Sequence, residues 1–291
     1  MMFVFILAGY VLGVKKLLDA SQSKILSVIL IYVVLPCNAF NSFCTRFTAA
    51  YLKEKYVVIL WALGLVAAAV ALAKLFAKLL TKDSYESVIY EYSLCMPNTG
   101  YMGYPVVGGV YGAATLTNFM FFVMPMTVMM YVYYLPRMTK KKGISLKALL
   151  NPALVGIALG MLVGLLGVPV PEFVQTVSST ASACLGPVSM LMTGITISQF
   201  SLKTLWAGKK SFFVILYRML LLPVAVWLLL RPLCEPELVR IAVLAFAMPC
   251  GMNTIVFPKL VGEDSTVGAS LPFVSTLVCM VTLPIFLYLL R

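Results

Sequence analysis

Met96-Pro97-Asn98-Thr99-Gly100-Tyr101-Met102-Gly103-Tyr104-Pro105 interrupts one long apolar run, and Pro249-Cys250-Gly251-Met252-Asn253-Thr254 interrupts another 152 residues later, counted from Pro97 to Pro249. Proline lacks an N–H and its ring blocks the carbonyl one turn back, while glycine loosens the turn, so a helix carrying either stretch unwinds there. Within a bilayer, unwound backbone is tolerated only where protein buries it or where it lines a cavity. A single X-Pro would be read as a simple kink. Two Pro-Gly-Asn interruptions in matched places predict something more specific, a pair of broken helices.

The membrane setting follows from composition. The chain has 291 residues, 62% of them apolar and only 11% charged. A soluble domain usually carries about 25% charged residues. The mean hydropathy is +1.01. That much apolar surface excludes a soluble enzyme and a disordered chain. No polar stretch is long enough to build a soluble head on a membrane anchor. There is no histidine, which removes Ser-His-Asp and Cys-His catalysis and His-ligated zinc; no enzymatic activity, metal or cofactor is expected. The seven cysteines include no C-x-x-C pair and mostly lie in apolar runs, where they read as small hydrophobes. The net charge of +12 resides in short loops between apolar runs, which marks membrane orientation and not nucleic-acid binding.

A spanning helix needs about 20 mostly apolar residues. Ten runs fit: Met2–Val14, Ile25–Phe43, Tyr56–Leu80, Val88–Val107, Ala113–Leu135, Pro152–Val170, Phe173–Phe200, Phe212–Leu230, Leu238–Val261 and Val267–Leu290. The short first run resembles a signal peptide in length, but no basic residue precedes it, Lys15 and Lys16 follow it, and no small-residue cleavage site is evident; it reads as a span. Lys15, Lys16, Lys24, Lys74, Lys78, Lys82, Arg137, Lys140, Lys141, Lys142, Lys147, Lys203, Lys209, Lys210 and Lys259 occupy the odd loops and their flanks. Positive-inside asymmetry then places odd loops in the cytoplasm and both termini outside, in a multi-pass protein of the plasma membrane.

An offset of about 152 residues also superposes spans two to five on seven to ten. The expected organisation is a first five-helix repeat over 1–136, a short basic loop over 137–150 and a second repeat over 151–291. Five is odd, so the second repeat is inverted. The fold class is therefore an all-α polytopic membrane protein in which broken spans four and nine cross. Paired interrupted helices in two such halves point to a transporter's central site. Helix ends at the breaks offer N–H groups and partial positive charge to a carboxylate, and Asn98, Thr99, Asn253 and Thr254 add neutral donors and acceptors. The candidate substrate residues are Pro97, Asn98, Thr99, Gly100, Tyr101, Pro249, Gly251, Asn253 and Thr254. As read, this site accepts a small organic anion without any formal positive charge of its own.

Ionisable residues inside spans are expensive and worth testing for function. Glu91, six residues before Pro97, is either an interfacial acid or a protonatable coupling group. Arg218, in span eight, either snorkels to the cytoplasmic surface or attracts anions on the transport path. Lys74 and Lys78 read as snorkelling anchors, and so does Lys259. No paired carboxylates adjoin the breaks, which disfavours a sodium site of Asp side chains. Among the tyrosines, Tyr101 and Tyr104 are pocket candidates; Tyr10, Tyr32, Tyr131 and Tyr134 read as belts or packing.

Pro97-Asn98-Thr99-Gly100-Tyr101-Met102-Gly103-Tyr104-Pro105 resembles the P-N-T-G-x-x-G-x-P segment of the auxin efflux carrier family. Gly9-Tyr10 with the Lys15-Lys16 pair and Leu17-Leu18-Asp19, Leu35-Pro36, Asn151-Pro152, Leu222-Pro223, and Met248-Pro249 ahead of Asn253 support the resemblance over the whole chain. It implies a scaffold of spans one, two, six and seven, a transport domain of spans three to five and eight to ten that moves elevator-fashion, and a homodimer. The loop 136–150 is short, so the chain resembles the compact microbial members, malate-permease-like carriers of mono- or dicarboxylates. The expected function is secondary active or facilitative transport by alternating access, with H+ or Na+ as possible coupling ion. A passive anion channel or a non-transporting sensor of the same fold is the alternative.

Overall fold

The computed structural model describes residues 2–18, 20–140, 149–198, 208–259, 261 and 266–290. The basic-loop residues Lys141, Lys142, Lys147 and Lys203 lie outside them. Among the described residues the protein is helical, with no strand beyond one isolated bridge pair. Six stretches of the described residues are long and apolar enough to cross a membrane: Ile25–Cys44, Ala49–Leu80, Thr99–Met138, Glu172–Ser198, Lys209–Leu230 and Ser270–Leu289. Two shorter apolar helices, Val4–Val14 and Pro152–Leu166, accompany them. The difference from ten expected spans has a physical source. Thr99–Met138 is divided at Gly112, whose φ of 81° breaks the helix, and the regions of spans four and nine contain short helices, Ser84–Cys95 and Pro236–Ala247, which end at the two breaks.

The chain forms two compact units, each discontinuous in sequence. The first comprises Met1–Val57, Gly100–Met120 and Leu149–Ser201. Its helices meet through glycine. Helix Pro152–Leu166 is capped by Asn151, whose side chain accepts from Ala153 N at 3.0 Å, with Pro152 in the first turn. Four-residue spacing puts Gly156, Gly160 and Gly164 on one stripe. A Cβ there would lie 2.5 Å from the Pro36 carbonyl oxygen, 2.8 Å from that of Phe40 and 2.6 Å from that of Phe47. Gly9 and Gly13 of helix Met2–Val14 similarly abut Leu191 and Ser198, and Gly194 abuts the carbonyl of Ile6. In lipid, where burying apolar surface drives little, such close backbone approach is what holds helices together.

The second unit comprises Val58–Thr99, Phe121–Ala148 and Leu202–Arg291. Asp83 caps helix Ser84–Cys95, accepting from Tyr85 N at 2.9 Å and Glu86 N at 2.7 Å. Every residue from Val88 to Asn98 and from Ile241 to Gly251 is buried. Helices enclosed on all sides belong to a protein interior, so both breaks sit in the core of this unit.

Among the described residues, four five-residue π-helical turns punctuate the chain: Leu30–Val34, Thr99–Gly103, Met130–Tyr134 and Tyr217–Leu221. Each is followed by one residue and then a proline: Pro36, Pro105, Pro136 and Pro223. Proline removes one i→i−4 bond and clashes with that carbonyl. Widening the preceding turn relieves the crowding; Leu35, Leu135 and Leu222 each donate to a carbonyl five residues back, those of Leu30, Met130 and Tyr217.

Candidate functional site

The two breaks cross within the second unit. Pro97 and Cys250 form an antiparallel backbone bridge. Asn98 N donates to Pro249 O at 2.9 Å, and Gly251 N donates to Met96 O at 3.1 Å. Cys250 N donates to Ser275 Oγ at 3.0 Å, and Cys250 Sγ to Ser93 O at 3.4 Å. Burial leaves no water for the groups that the prolines release, and the strands satisfy one another. The amides of Asn98, Cys250 and Gly251 are thus committed to the crossing.

Asn253 and Thr254 open the short helix Asn253–Lys259 just past the second break. Asn253 Nδ2 donates to Tyr92 Oη at 3.0 Å and contacts Met130 Sδ at 2.7 Å. Thr254 is buried, with Oγ1 donating to Gly268 O at 2.7 Å. Asn98 is buried as well. Gly251 is required sterically, since a Cβ would stand 2.7 Å from Tyr92 Oη. The second unit thus gathers Pro97, Asn98, Thr99, Pro249, Gly251, Asn253 and Thr254. Gly100 and Tyr101 group with the first unit; Tyr101 and Tyr104 are both buried there, and Tyr104 packs edge-on against Phe119 at 6.1 Å.

An aromatic contact links the crossing to the surroundings of Glu91. The Tyr92 and Tyr134 rings meet edge to face at 5.2 Å. Tyr134 Oη donates to Glu91 Oε1 at 3.1 Å and lies within hydrogen-bond distance of Cys95 Sγ, at 3.1 Å. Arg137 Nη1 pairs with Glu91 Oε2 at 2.8 Å and also donates to Tyr133 Oη at 2.8 Å. Glu91 is thus a buried, ion-paired carboxylate. Lys74 Nζ and the Arg137 guanidinium both lie over the Tyr133 ring, at 5.0 and 4.7 Å.

Arg218 does not snorkel. It is fully buried, on the π-helical turn Tyr217–Leu221, which packs against helices Ser84–Cys95, Pro236–Ala247 and Thr266–Leu289. Its Nε, Nη1 and Nη2 make no hydrogen bond among the described residues.

Tyr92, Tyr134, Arg137 and Ser275 were not singled out as site residues in the sequence. Tyr134 read as a belt or packing residue and Arg137 as one more loop cation. The usable signal was helical spacing: Arg137 follows Tyr133 by four, and Tyr92 precedes the break by little more than one turn.

A family model described as membrane transport protein matches the chain twice, over residues 1–148 and 137–287. An uncharacterised transporter of Methanocaldococcus jannaschii is 26% identical over 289 residues, spanning 94% of this chain and 91% of the relative. Another, from Methanothermobacter thermautotrophicus, is 24% identical over 295 residues, spanning 97% and 94%.

Proposed function

This chain belongs to the membrane transport protein family, that of the auxin efflux carriers, as a compact member, and on that premise we propose that it carries small organic anions across the plasma membrane by alternating access. The observation that carries the reading is the buried crossing of two broken helices, pinned by Asn98 N to Pro249 O and Gly251 N to Met96 O, with the amides of Asn98 and Asn253 beside it. Broken helices of this kind mark the midplane site of secondary transporters. The substrate is held in the second unit, at Pro97, Asn98, Thr99, Pro249, Gly251, Asn253 and Thr254.

The wider reading makes the halves 1–136 and 151–291 inverted repeats, with both termini outside and the chain acting as a homodimer. The second unit, which contains both breaks, is the moving transport domain of an elevator, and the first, glycine-packed unit is the scaffold. The Glu91–Arg137 pair and its tyrosines supply the route for a coupling proton, with Na+ the alternative coupling ion. An uncoupled anion carrier would run toward export, since an inside-negative potential is worth about 2.3 kcal/mol per charge per 100 mV.

The test is counterflow in proteoliposomes. Liposomes preloaded with unlabelled acetate, lactate, succinate or malate should accumulate the labelled form transiently and saturably. Large, non-saturating currents would identify a channel instead, and ligand binding without flux a sensor.

A further inference from the structure

The buried interior of the second unit carries a positive charge that no described residue pairs with. Arg218 has 0% exposure, and none of its three guanidinium nitrogens has a hydrogen-bond partner among the described residues. Its electrostatic neighbours are Cys250, Cys95, Tyr217 and Tyr92, two thiols and two phenols that are neutral at physiological pH. Among the described residues, the carboxylates of the unit are engaged elsewhere or exposed, apart from the part-buried Glu237 in the first turn of helix Pro236–Ala247. Glu91 is held by Arg137 and Tyr134, Asp83 caps its helix, Glu86 accepts from Thr81 Oγ1 at 2.5 Å, and Glu235 is exposed.

Two of those neighbours are parts of the crossing. Cys250 is the bridge partner of Pro97, and Tyr92 holds Asn253. Ser93 Oγ and Tyr217 Oη are also buried without a partner among the described residues, and the Ser93 carbonyl accepts from Cys250 Sγ. An uncompensated buried cation is a costly feature unless an anion visits it. A guanidinium offers five donors in a planar fork that matches a carboxylate bidentately.

We propose that Arg218 is the charge partner of the transported anion, binding its carboxylate at the crossing, and that the substrate is therefore a monocarboxylate. The inference rests on the crossing being the substrate site. Arg218 contributes one positive charge to a setting otherwise made of thiols, phenols, hydroxyls and amides. A monoanion is neutralised there, while a dicarboxylate brings a second charge with no complement. The far end of the substrate meets the Asn253 amide and the Tyr92 phenol. The site thus contains the formal charge that the sequence reading did without.

The test uses the full chain in lipid nanodiscs, with thermal unfolding and equilibrium binding read for acetate, lactate, succinate, malate and chloride. The wild type should bind acetate or lactate at least ten-fold more tightly than succinate or malate, and chloride should not substitute. Arg218→Gln and Arg218→Met should weaken monocarboxylate binding at least ten-fold, with Arg218→Lys intermediate. Without ligand, Arg218→Met should unfold no lower than the wild type, because it removes a charge that lacked a partner. Wild-type affinity retained within two-fold in Arg218→Gln, tighter binding of dicarboxylates, or stabilisation by chloride alone would overturn the proposal. If Asn98→Ala and Asn253→Ala lose binding while Arg218→Gln keeps it, the crossing stands as the site and only the role of Arg218 falls. If no carboxylate binds the folded wild type, the site reading falls too.

Discussion

Pro97 and Cys250, 153 residues apart, pair backbone to backbone as a two-residue antiparallel bridge inside an all-helical unit. The neighbouring bonds, Asn98 N to Pro249 O and Gly251 N to Met96 O, make each break the hydrogen-bonding partner of the other. Neither break is stable alone in a buried setting, since unpaired backbone groups there cost about 1–3 kcal/mol each. The crossing is therefore a tertiary object, and changes on one segment should register on the other.

Gly251→Ala tests that coupling. The new Cβ would meet Tyr92 Oη at 2.7 Å while the Gly251 N–H is tied to Met96 O, so neither side yields freely. Overpacking of this kind costs about 1–3 kcal/mol. Thermal unfolding should show the loss, and Gly251→Ala/Tyr92→Phe, which removes the clashing oxygen, should recover part of it. A double variant no more stable than the single would place the strain elsewhere.

Asn253→Ala removes the donor to Tyr92 Oη. One hydrogen bond is worth about 1 kcal/mol net, or about five-fold in affinity. Losing the bond to Tyr92 should lower the unfolding temperature slightly, and losing an amide donor to the substrate should weaken carboxylate binding by about five-fold or more; Asn98→Ala should weaken binding alike. Unchanged affinity in both purified variants would remove the amides from the site.

Sequence and structure part company at identifiable places. Pro97, Asn98, Pro249 and Asn253 announced the breaks because helix-breaking chemistry is local. The commitment of the Asn98, Cys250 and Gly251 amides was not legible, since their partners, Pro249, Ser275 and Met96, are set by tertiary packing. Tyr134 looked like a belt residue because belts and buried phenols share a composition; only its partners Glu91 and Cys95 tell them apart. Arg137 was indistinguishable from the lysines that follow it. Arg218 was ambiguous for a geometric reason: the π-helical turn that carries it shifts the helical phase, so counting residues from the span's end does not say which way it points.

The Glu91–Arg137 pair predicts an asymmetry. The Arg137 side chain is 33% exposed and that of Glu91 only 3%. Removing glutamate leaves a cation that reaches water; removing arginine strands a buried carboxylate with Tyr134 alone. Arg137→Gln should therefore destabilise more than Glu91→Gln, by about 1–3 kcal/mol, and the double variant should lie above Arg137→Gln. Thermal unfolding of the three variants decides it, and equal losses from both single changes would count against a buried pair.

The glycine stripe of the first unit should be intolerant of bulk. Gly160→Leu places its Cβ 2.8 Å from the Phe40 carbonyl oxygen and 3.0 Å from the Phe40 Cα, both backbone atoms. The helices must separate, which costs about 3 kcal/mol or more. Gly64→Ala is the contrast. Nothing lies within 4 Å of its Cβ, and exchanging glycine for alanine in a helix interior gains up to about 1 kcal/mol. Fluorescence-detected size exclusion after heating would rank the two against wild type; similar midpoints would mean the stripe does not govern packing.

Pro223 provides a handle on Arg218 that leaves the guanidinium in place. The π-helical turn Tyr217–Leu221 is held by Leu222 N donating to Tyr217 O, five residues back, and Pro223 is the residue whose missing N–H and bulky ring favour that widening. Pro223→Ala restores the donor and lets the turn close to the i→i−4 pattern. Dropping the extra residue of the turn rotates the preceding segment by about 100°, which turns Arg218 away from Cys250 and Tyr92. Removing an interior proline should leave unfolding temperature equal or higher. Carboxylate affinity should nevertheless fall at least as far as in Arg218→Lys. Pro36→Ala makes the same chemical change after the π-helical turn Leu30–Val34, in the first unit, and should stabilise without touching affinity. Equal loss of affinity in both variants would show that the effect does not act through Arg218.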